Sequence, residues 1–226
     1  LFLDKDMQYS CAYFHNENIS LEQAQIDKKN HIINKLQITS DMDVLDIGCG
    51  WGGMSIEIAK QTGASVKGIT LSENQYATAS KRVQEEGLSE KVSFQIQDYR
   101  KETKKYDRIV SVGMFEHVGI KFFRTYLKKT HDLLKDNGVF LLHTIGQRGI
   151  PTATSHWIRK YIFPGGYIPS LSDIVNETQK LDINITDIEI LRLHYAHTIT
   201  HWYKNILNNK EKIIKMFDIR FYRMWE

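Results

Sequence analysis

One eight-residue run, Asp46-Ile47-Gly48-Cys49-Gly50-Trp51-Gly52-Gly53, restricts the folds open to this chain more than any other feature. It follows a short apolar stretch, Asp43 to Ile47, and leads into a helical pattern from about Met54 to Lys60. Glycines are needed at such a junction because the backbone turns sharply and approaches a ligand closely, with no Cβ in the way. Strand, glycine turn and helix form the opening of a βαβ unit, and the sequence beyond repeats the alternation. Ser65 to Ile69 reads as a second strand. Ser72-x-x-Gln75 has the form of a capping box and starts a helix with Tyr76, Ala79 and Val83 on one face, stopped by Gly87. Val92 to Ile96 alternates as a third strand, and Asp107 to Val112 is a fourth. A helical pattern over Phe122 to Leu134 follows, and Asn137-Gly138 then turns the chain into a very apolar fifth strand, Val139 to His143. The expected fold class is therefore α/β, a doubly wound and mostly parallel sheet.

The flanks have a different character. Ser20-x-x-Gln23 is another capping signature, with Leu21, Ala24, Ile32 and Leu36 at helical spacing behind it. All three prolines, Pro151, Pro164 and Pro169, fall in one stretch with Gly149, Gly165, Gly166 and the aromatics Trp157, Tyr161, Phe163 and Tyr167. That composition predicts a loop-rich insertion suited to a substrate lid. Ile183 to Ile190 alternates weakly as a late strand, and a helix from near Thr198 carries Ile199, Trp202, Tyr203, Ile206 and Ile213 on one side. The expected organisation is an N-terminal helical segment covering the cofactor site (1–37), a cofactor-binding α/β core (38–148), a lid or acyl-binding insertion (149–182), and a late strand with a C-terminal helix (183–226). The chain opens at Leu1 without a methionine and stops in a helical pattern at Trp225-Glu226, which reads as part of a longer chain.

Composition mainly removes alternatives. Hydrophobic residues are 42% and charged residues 25%, as in ordinary globular proteins. No apolar run approaches the roughly 20 residues that span a bilayer. A net charge of +3 is too small to argue for nucleic acid. Two cysteines, Cys11 and Cys49, make neither a metal framework nor a disulfide scaffold, and the expected setting is reducing and cytoplasmic.

Taken alone the glycine turn is ambiguous. It satisfies the dinucleotide pattern through Gly48, Gly50 and Gly53, it satisfies the shorter pattern of S-adenosylmethionine enzymes, and it also fits a tight turn that binds nothing. Asp46 places a carboxylate where an amino acid's ammonium group can be met. The second strand runs out through Thr70-Leu71-Ser72 without the acidic tip that holds a nicotinamide cofactor's ribose, while Asp98 follows the third strand, where an acid can accept from an adenine amine. These features favour S-adenosylmethionine.

At this point the sequence resembles the cyclopropane-fatty-acyl-phospholipid synthases and the related mycolic acid cyclopropane synthases. The matching blocks are Met7–Phe14, Val44–Gly53, Gly68–Gln75, Gln97–Arg100, Asp107–Gly119, Gly138–Gly146 and Tyr161–Ser170, in order over nearly the whole chain. The resemblance implies a sheet of the class I S-adenosylmethionine-dependent methyltransferase type with a loop/helix lid. It implies that Tyr9, Ser10, Gly48, Gly50, Thr70, Leu71, Gln75, Asp98 and Tyr99 surround S-adenosylmethionine. It further implies a bicarbonate ion held by Cys11, Glu116, His143, the backbone of Ile145, and Tyr195. The implied substrate is an unsaturated phospholipid acyl chain at the inner face of a membrane, approached peripherally, with no nucleic acid and with room for a homodimer.

The chemistry explains why such residues belong together. An isolated alkene is a poor nucleophile with no proton to lose, so the electrophile must be strong and the pocket dry. A base must then remove a proton from the added methyl group for a ring to close. Aromatic faces stabilise the intervening cation by roughly 0.5–2 kcal/mol each. Phe115, Tyr161, Phe163, Tyr167, Tyr195 and Trp202 are candidates for that role. A rival set is His194, His197 and His201, spaced to share one helical face and able to suggest a metal. Rival functions are methyl transfer to a small amine, methylation to a branched alkene, and a noncatalytic lipid-binding module.

Overall fold

The computed structural model describes residues Leu1–Glu226. In chain order it contains α1 (Leu21–Leu36), β1 (Asp43–Ile47), α2 (Gly53–Thr62), β2 (Ser65–Thr70), α3 (Glu73–Glu85), β3 (Val92–Ile96), β4 (Tyr106–Val112), α4 (Phe123–Asp132), β5 (Leu134–His143), α5 (Leu171–Lys180), α6 (Leu193–Asn208), α7 (Lys210–Met216) and α8 (Ile219–Trp225). Residues 32–188 form one compact unit, and residues 1–31 with 189–226 form another.

The first unit is a five-stranded sheet of order β3-β2-β1-β4-β5, every neighbouring pair parallel. Period-two alternation divides its apolar side chains between two faces. Val44, Val66, Val92 and Val110 pack with Met54, Ile56, Ile58 and Ala59 of α2, Val83 of α3 and the end of α1. Leu45, Ile47, Ile69 and Ile109 pack instead with Phe115 and with Phe123, Tyr126 and Leu127 of α4. Chain order reverses between β1 and β4, and a doubly wound sheet binds its ligand outside the carboxyl strand ends at that reversal. This is the expected α/β class. No helix is long and apolar enough to cross a membrane.

The second unit packs Ala12, Phe14, Leu21 and Ala24 against Trp202 of α6, and Ile206, Ile213 and Tyr222 form a further cluster. Irregular residues 2–14 are fixed through backbone groups: the Ala12 amide donates to Thr198 Oγ1 at 3.0 Å, and Asn205 donates to the Phe2 carbonyl at 3.0 Å. The three histidines do share α6, but the Phe14 amide donates to His194 Nδ1 at 2.9 Å, and the rings of His197 and His201 lie against Phe14. They serve the packing of this segment.

Three expectations change. Residues 183–190 form no strand; Ile185, Ile188 and Ile190 are exposed. Alternation shows only that one face could be buried, and no strand pairs beyond β5 to offer an edge. The insertion combines loop and helix, as the resemblance implies: one helical turn spans Ile158–Ile162 and α5 starts at its end. Pro169 precedes Ser170, whose hydroxyl accepts from the Asp173 amide at 3.2 Å while the Ser170 amide donates to Asp173 Oδ2 at 2.8 Å. This reciprocal capping box starts the helix once prolines cease. The fifth strand begins at Leu134, pairing with Tyr106, and the chain bulges through Asn137-Gly138 before Val139 pairs with Arg108. The C-terminal helix is three helices, divided at Asn209 and again at Asp218, whose carboxylate accepts from the Phe221 amide at 2.6 Å as a new N-cap.

Candidate functional site

The strand ends of the sheet unit assemble most of the expected residues. After β1 the chain passes through Gly48, Gly50 and Gly52 at φ of +80°, +54° and +85°, conformations that L side chains rarely adopt. The Gly48 and Cys49 amides both donate to the Ile69 carbonyl, at 2.9 and 3.1 Å, which seats the turn on β2. The three glycines have different reasons. A Cβ on Gly48 would lie 2.8 Å from Met114, and one on Gly52 would lie 2.7 Å from Phe94. A Cβ on Gly50 would meet nothing within 4 Å. Gly50 therefore keeps an open face on the turn.

Asp46 is buried, and its Oδ2 accepts from Ser55 of α2 at 2.7 Å. The carboxylate thus fixes the start of α2 beneath the turn. Thr70 donates to Gln75 Oε1 at 2.8 Å and accepts from the Ser72 amide at 3.2 Å, so Gln75 reaches back to the end of β2 and not to its own cap. Leu71 stands exposed beside them. Asp98 caps a short turn after β3 and is gripped by the Arg100 guanidinium at 3.0 Å, which holds its carboxyl below the usual carboxylate range. Tyr99 packs edge-on against Tyr126. These residues lie along the ends of β1, β2 and β3.

On the other side of the reversal stands Glu116, in a one-turn helix over Phe115–His117 after β4. It is 2% exposed. Its Oε1 accepts from the Ile145 amide at 2.7 Å, just past β5, while Oε2 is buried and accepts no hydrogen bond. Burial raises its pKa; the Ile145 amide and nearby Thr144 act in the opposite sense. The resemblance gives the Ile145 backbone to a bicarbonate ion; in the structure the Ile145 amide donates to the Glu116 carboxylate itself. His143 ends β5 alongside Val112. Phe115 is fully buried and stacks on Phe123 at 4.1 Å, so this aromatic candidate is a core residue. Phe163 lies against His117, and Tyr167 donates from its hydroxyl to Asp173 at 3.1 Å.

The remaining expected residues belong to the second unit. Tyr9 is exposed and lies against Trp202, which is also the neighbour of Tyr195. Cys11 is buried, which pushes its thiol up to about 11. Ser10 Oγ accepts from the Lys28 ammonium at 2.7 Å, and Gln8 Oε1 accepts from it at 2.8 Å.

Lys28 went unread in the sequence. The signal was present: Leu21, Ala24, Lys28 and Ile32 share the buried stripe of α1. Burial lowers its pKa to about 7. The unfolded state then binds more protons between that value and the ordinary lysine range, so stability rises with pH in this window. The Cys11 shift acts oppositely, but only above pH 9. Thermal melts from pH 7 to 9 are expected to gain up to about 1.4 kcal/mol per pH unit from this group. In Lys28→Met that gain disappears; an unchanged slope would place the titration elsewhere.

Residues 1–226 match the family described as mycolic acid cyclopropane synthetase. A cyclopropane-fatty-acyl-phospholipid synthase of Escherichia coli is 42% identical over 99% of this chain and 57% of its own length. A probable fatty acid methyltransferase of Pseudomonas putida is 39% identical over 100% of this chain and 59% of its own length. The chain thus spans a little over half the length of these two relatives. The crystal structure of mycolic acid cyclopropane synthase CmaA1 complexed with SAH and CTAB superposes with a TM-score of 0.92 at 31% identity, covering 99% of this chain and 83% of that one.

Proposed function

The chain belongs to the mycolic acid cyclopropane synthetase family, and on that premise we propose that it is an S-adenosylmethionine-dependent enzyme that adds a methylene group across the double bond of an unsaturated phospholipid acyl chain. The observation that carries this reading is Glu116, a carboxylate held by one oxygen and buried with the other unpaired, at the strand ends where a methyl acceptor would lie.

S-Adenosylmethionine, when bound, supplies an electrophilic methyl group strong enough for an alkene. The turn at Gly50 has the open face it needs, and Thr70, Leu71, Gln75, Asp98 and Tyr99 line the strand ends along which its nucleoside would run. Bicarbonate, when bound, supplies a small base for the proton that ring closure releases. Glu116 fits such an ion because Oε2 is a buried acceptor in need of a donor, and leaving it unsatisfied costs about 1–3 kcal/mol. Glu116 would receive the ion's hydroxyl there, and the Ile145 amide keeps the carboxylate from rotating. His143 would donate to the ion from the end of β5. Cys11 and Tyr195 are assigned to the same ion by family resemblance, and Tyr9 and Ser10 to the cofactor. An amine acceptor carries its own lone pair and would need no such arrangement, which is why Glu116 favours the alkene.

The reading is tested by incubating the chain with unsaturated phospholipid vesicles and methyl-labelled S-adenosylmethionine, followed by mild hydrogenation and lipid mass spectrometry. A labelled acyl chain heavier by one methylene that takes up no hydrogen is the expected product. Uptake of hydrogen by the labelled chain would instead identify a branched alkene. Label in an added amine and none in lipid would move the acceptor class, and cofactor binding without any transfer would indicate a noncatalytic module.

A further inference from the structure

Between Asp136 and Asp173 the sequence contains no acidic residue, yet it holds Arg148, Arg159 and Lys160. All three cations are exposed. Among them stand Ile150 at 84% exposure, Trp157 at 47% and Tyr161 at 43%. Trp157 and Tyr161 project from neighbouring turns with ring centroids 6.2 Å apart, and the Lys160 ammonium sits 5.0 Å above the Tyr161 ring. A loop held only by water has no reason to expose this much apolar surface or to exclude one sign of charge.

The two feet of this loop are pinned together. The Gln147 amide donates to the Pro169 carbonyl at 2.8 Å, and the Gln147 side chain donates to the Ile168 carbonyl at 2.9 Å. The returning strand of the loop is also fastened to the candidate site, since the Tyr167 amide donates to the Glu116 carbonyl at 2.8 Å and the Phe163 ring lies against His117. The tip therefore carries its apolar and cationic side chains on a base anchored beside Glu116.

We propose that residues 148–161 are a docking surface for an anionic phospholipid bilayer, through which an acyl chain is delivered to the strand ends at Glu116. Tryptophan and tyrosine have an apolar body and a polar edge suited to the headgroup boundary. Lysine and arginine reach outward to phosphate while their stems stay with the apolar layer. The missing acidic residues are those that a negative surface would repel. This inference rests on the reading of the chain as a lipid-modifying enzyme and identifies the surface by which that enzyme meets its substrate.

Cosedimentation of the 226-residue chain with phosphatidylcholine vesicles, with and without phosphatidylglycerol, tests it. Three cations near the surface predict partitioning about 10- to 100-fold stronger onto the anionic vesicles, decreasing as salt is added. The triple substitution Arg148→Gln, Arg159→Gln and Lys160→Gln removes that preference. The pair Ile150→Ser and Trp157→Ala weakens the binding that persists at high salt. S-Adenosylhomocysteine affinity and the thermal melt stay at the wild-type level in both, which shows that the fold and the cofactor site are intact. Equal binding to both vesicle types, or variants that bind as the parent does, would overturn the proposal. Docking as described with no methyl transfer to any lipid would support the surface and overturn the activity instead.

Discussion

Glu116→Gln is expected to lower turnover by about 10²- to 10⁴-fold, the range for loss of a group that serves proton transfer, while cofactor affinity is retained. The substitution keeps an oxygen for the Ile145 amide, now 2.7 Å from Oε1, so the local backbone has no cause to move. It replaces the unpaired oxygen Oε2 by an amide that donates where the proposed reaction requires an acceptor. The pH dependence has a definite sign. Burial is the main cause that raises the Glu116 pKa, so the folded state holds its proton to higher pH than the unfolded chain does. Its contribution to stability is therefore present at low pH and is lost as pH rises through the folded value. Activity runs the other way, because the ionised carboxylate is the useful form. The acid limb of kcat/KM should lie above the usual carboxylate range, and a melt of the glutamine variant at neutral pH should be no lower than wild type. Calorimetric titration with S-adenosylhomocysteine, single-turnover rates and the pH profile check these points. Near-normal turnover, or cofactor affinity lost together with turnover, would rule out the assigned role.

Substitutions in the glycine turn should separate folding from binding. Gly52→Ala puts a Cβ 2.7 Å from the Phe94 ring and 2.9 Å from Ala79, at a φ of +85°. Left-handed strain of about 1 kcal/mol and overpacking of about 1–3 kcal/mol predict a loss of about 2–4 kcal/mol. Gly50→Ala carries the strain alone, at φ +54° with no atom within 4 Å. It should cost about 1 kcal/mol in stability but more than about tenfold in cofactor affinity, because its methyl group enters the space through which a ligand would approach the backbone. Thermal melts and cofactor titration of the two variants give opposite orders of severity. If Gly50→Ala binds S-adenosylhomocysteine as well as the parent does, the open face of the turn is not the cofactor cradle.

The strands were legible where the sequence carries their signal locally. Val44-Leu45-Asp46-Ile47 alternates, and the structure divides Val44 from Leu45 and Ile47 onto opposite faces. Ser72 accepts from the Gln75 amide at 3.3 Å, so the helix start falls at the expected serine. What escaped was set by neighbours that the local pattern does not contain. Ile183 to Ile190 has the alternation of a strand and pairs with nothing. Leu134 looked helical and is drawn into β5 because Tyr106 offers it a partner. The Ser170–Asp173 cap was masked by the proline-rich stretch before it. Lys28 reads as a solvent residue until α1 is packed, when it becomes the buried donor to Gln8 and Ser10.

The site divides in the same way. Residue types and chain order determined the glycine turn, the acidic residues after β3 and β4 and the parallel order of the core, because each depends on steric and periodic rules acting within a few residues. Tertiary structure alone decided that Asp46 is held by Ser55, that Phe115 is core, and that Glu116 gives one oxygen to Ile145 and keeps the other buried. Those outcomes depend on which groups are left to compete for each hydrogen bond and each cavity once distant strands meet, and no local pattern encodes that competition.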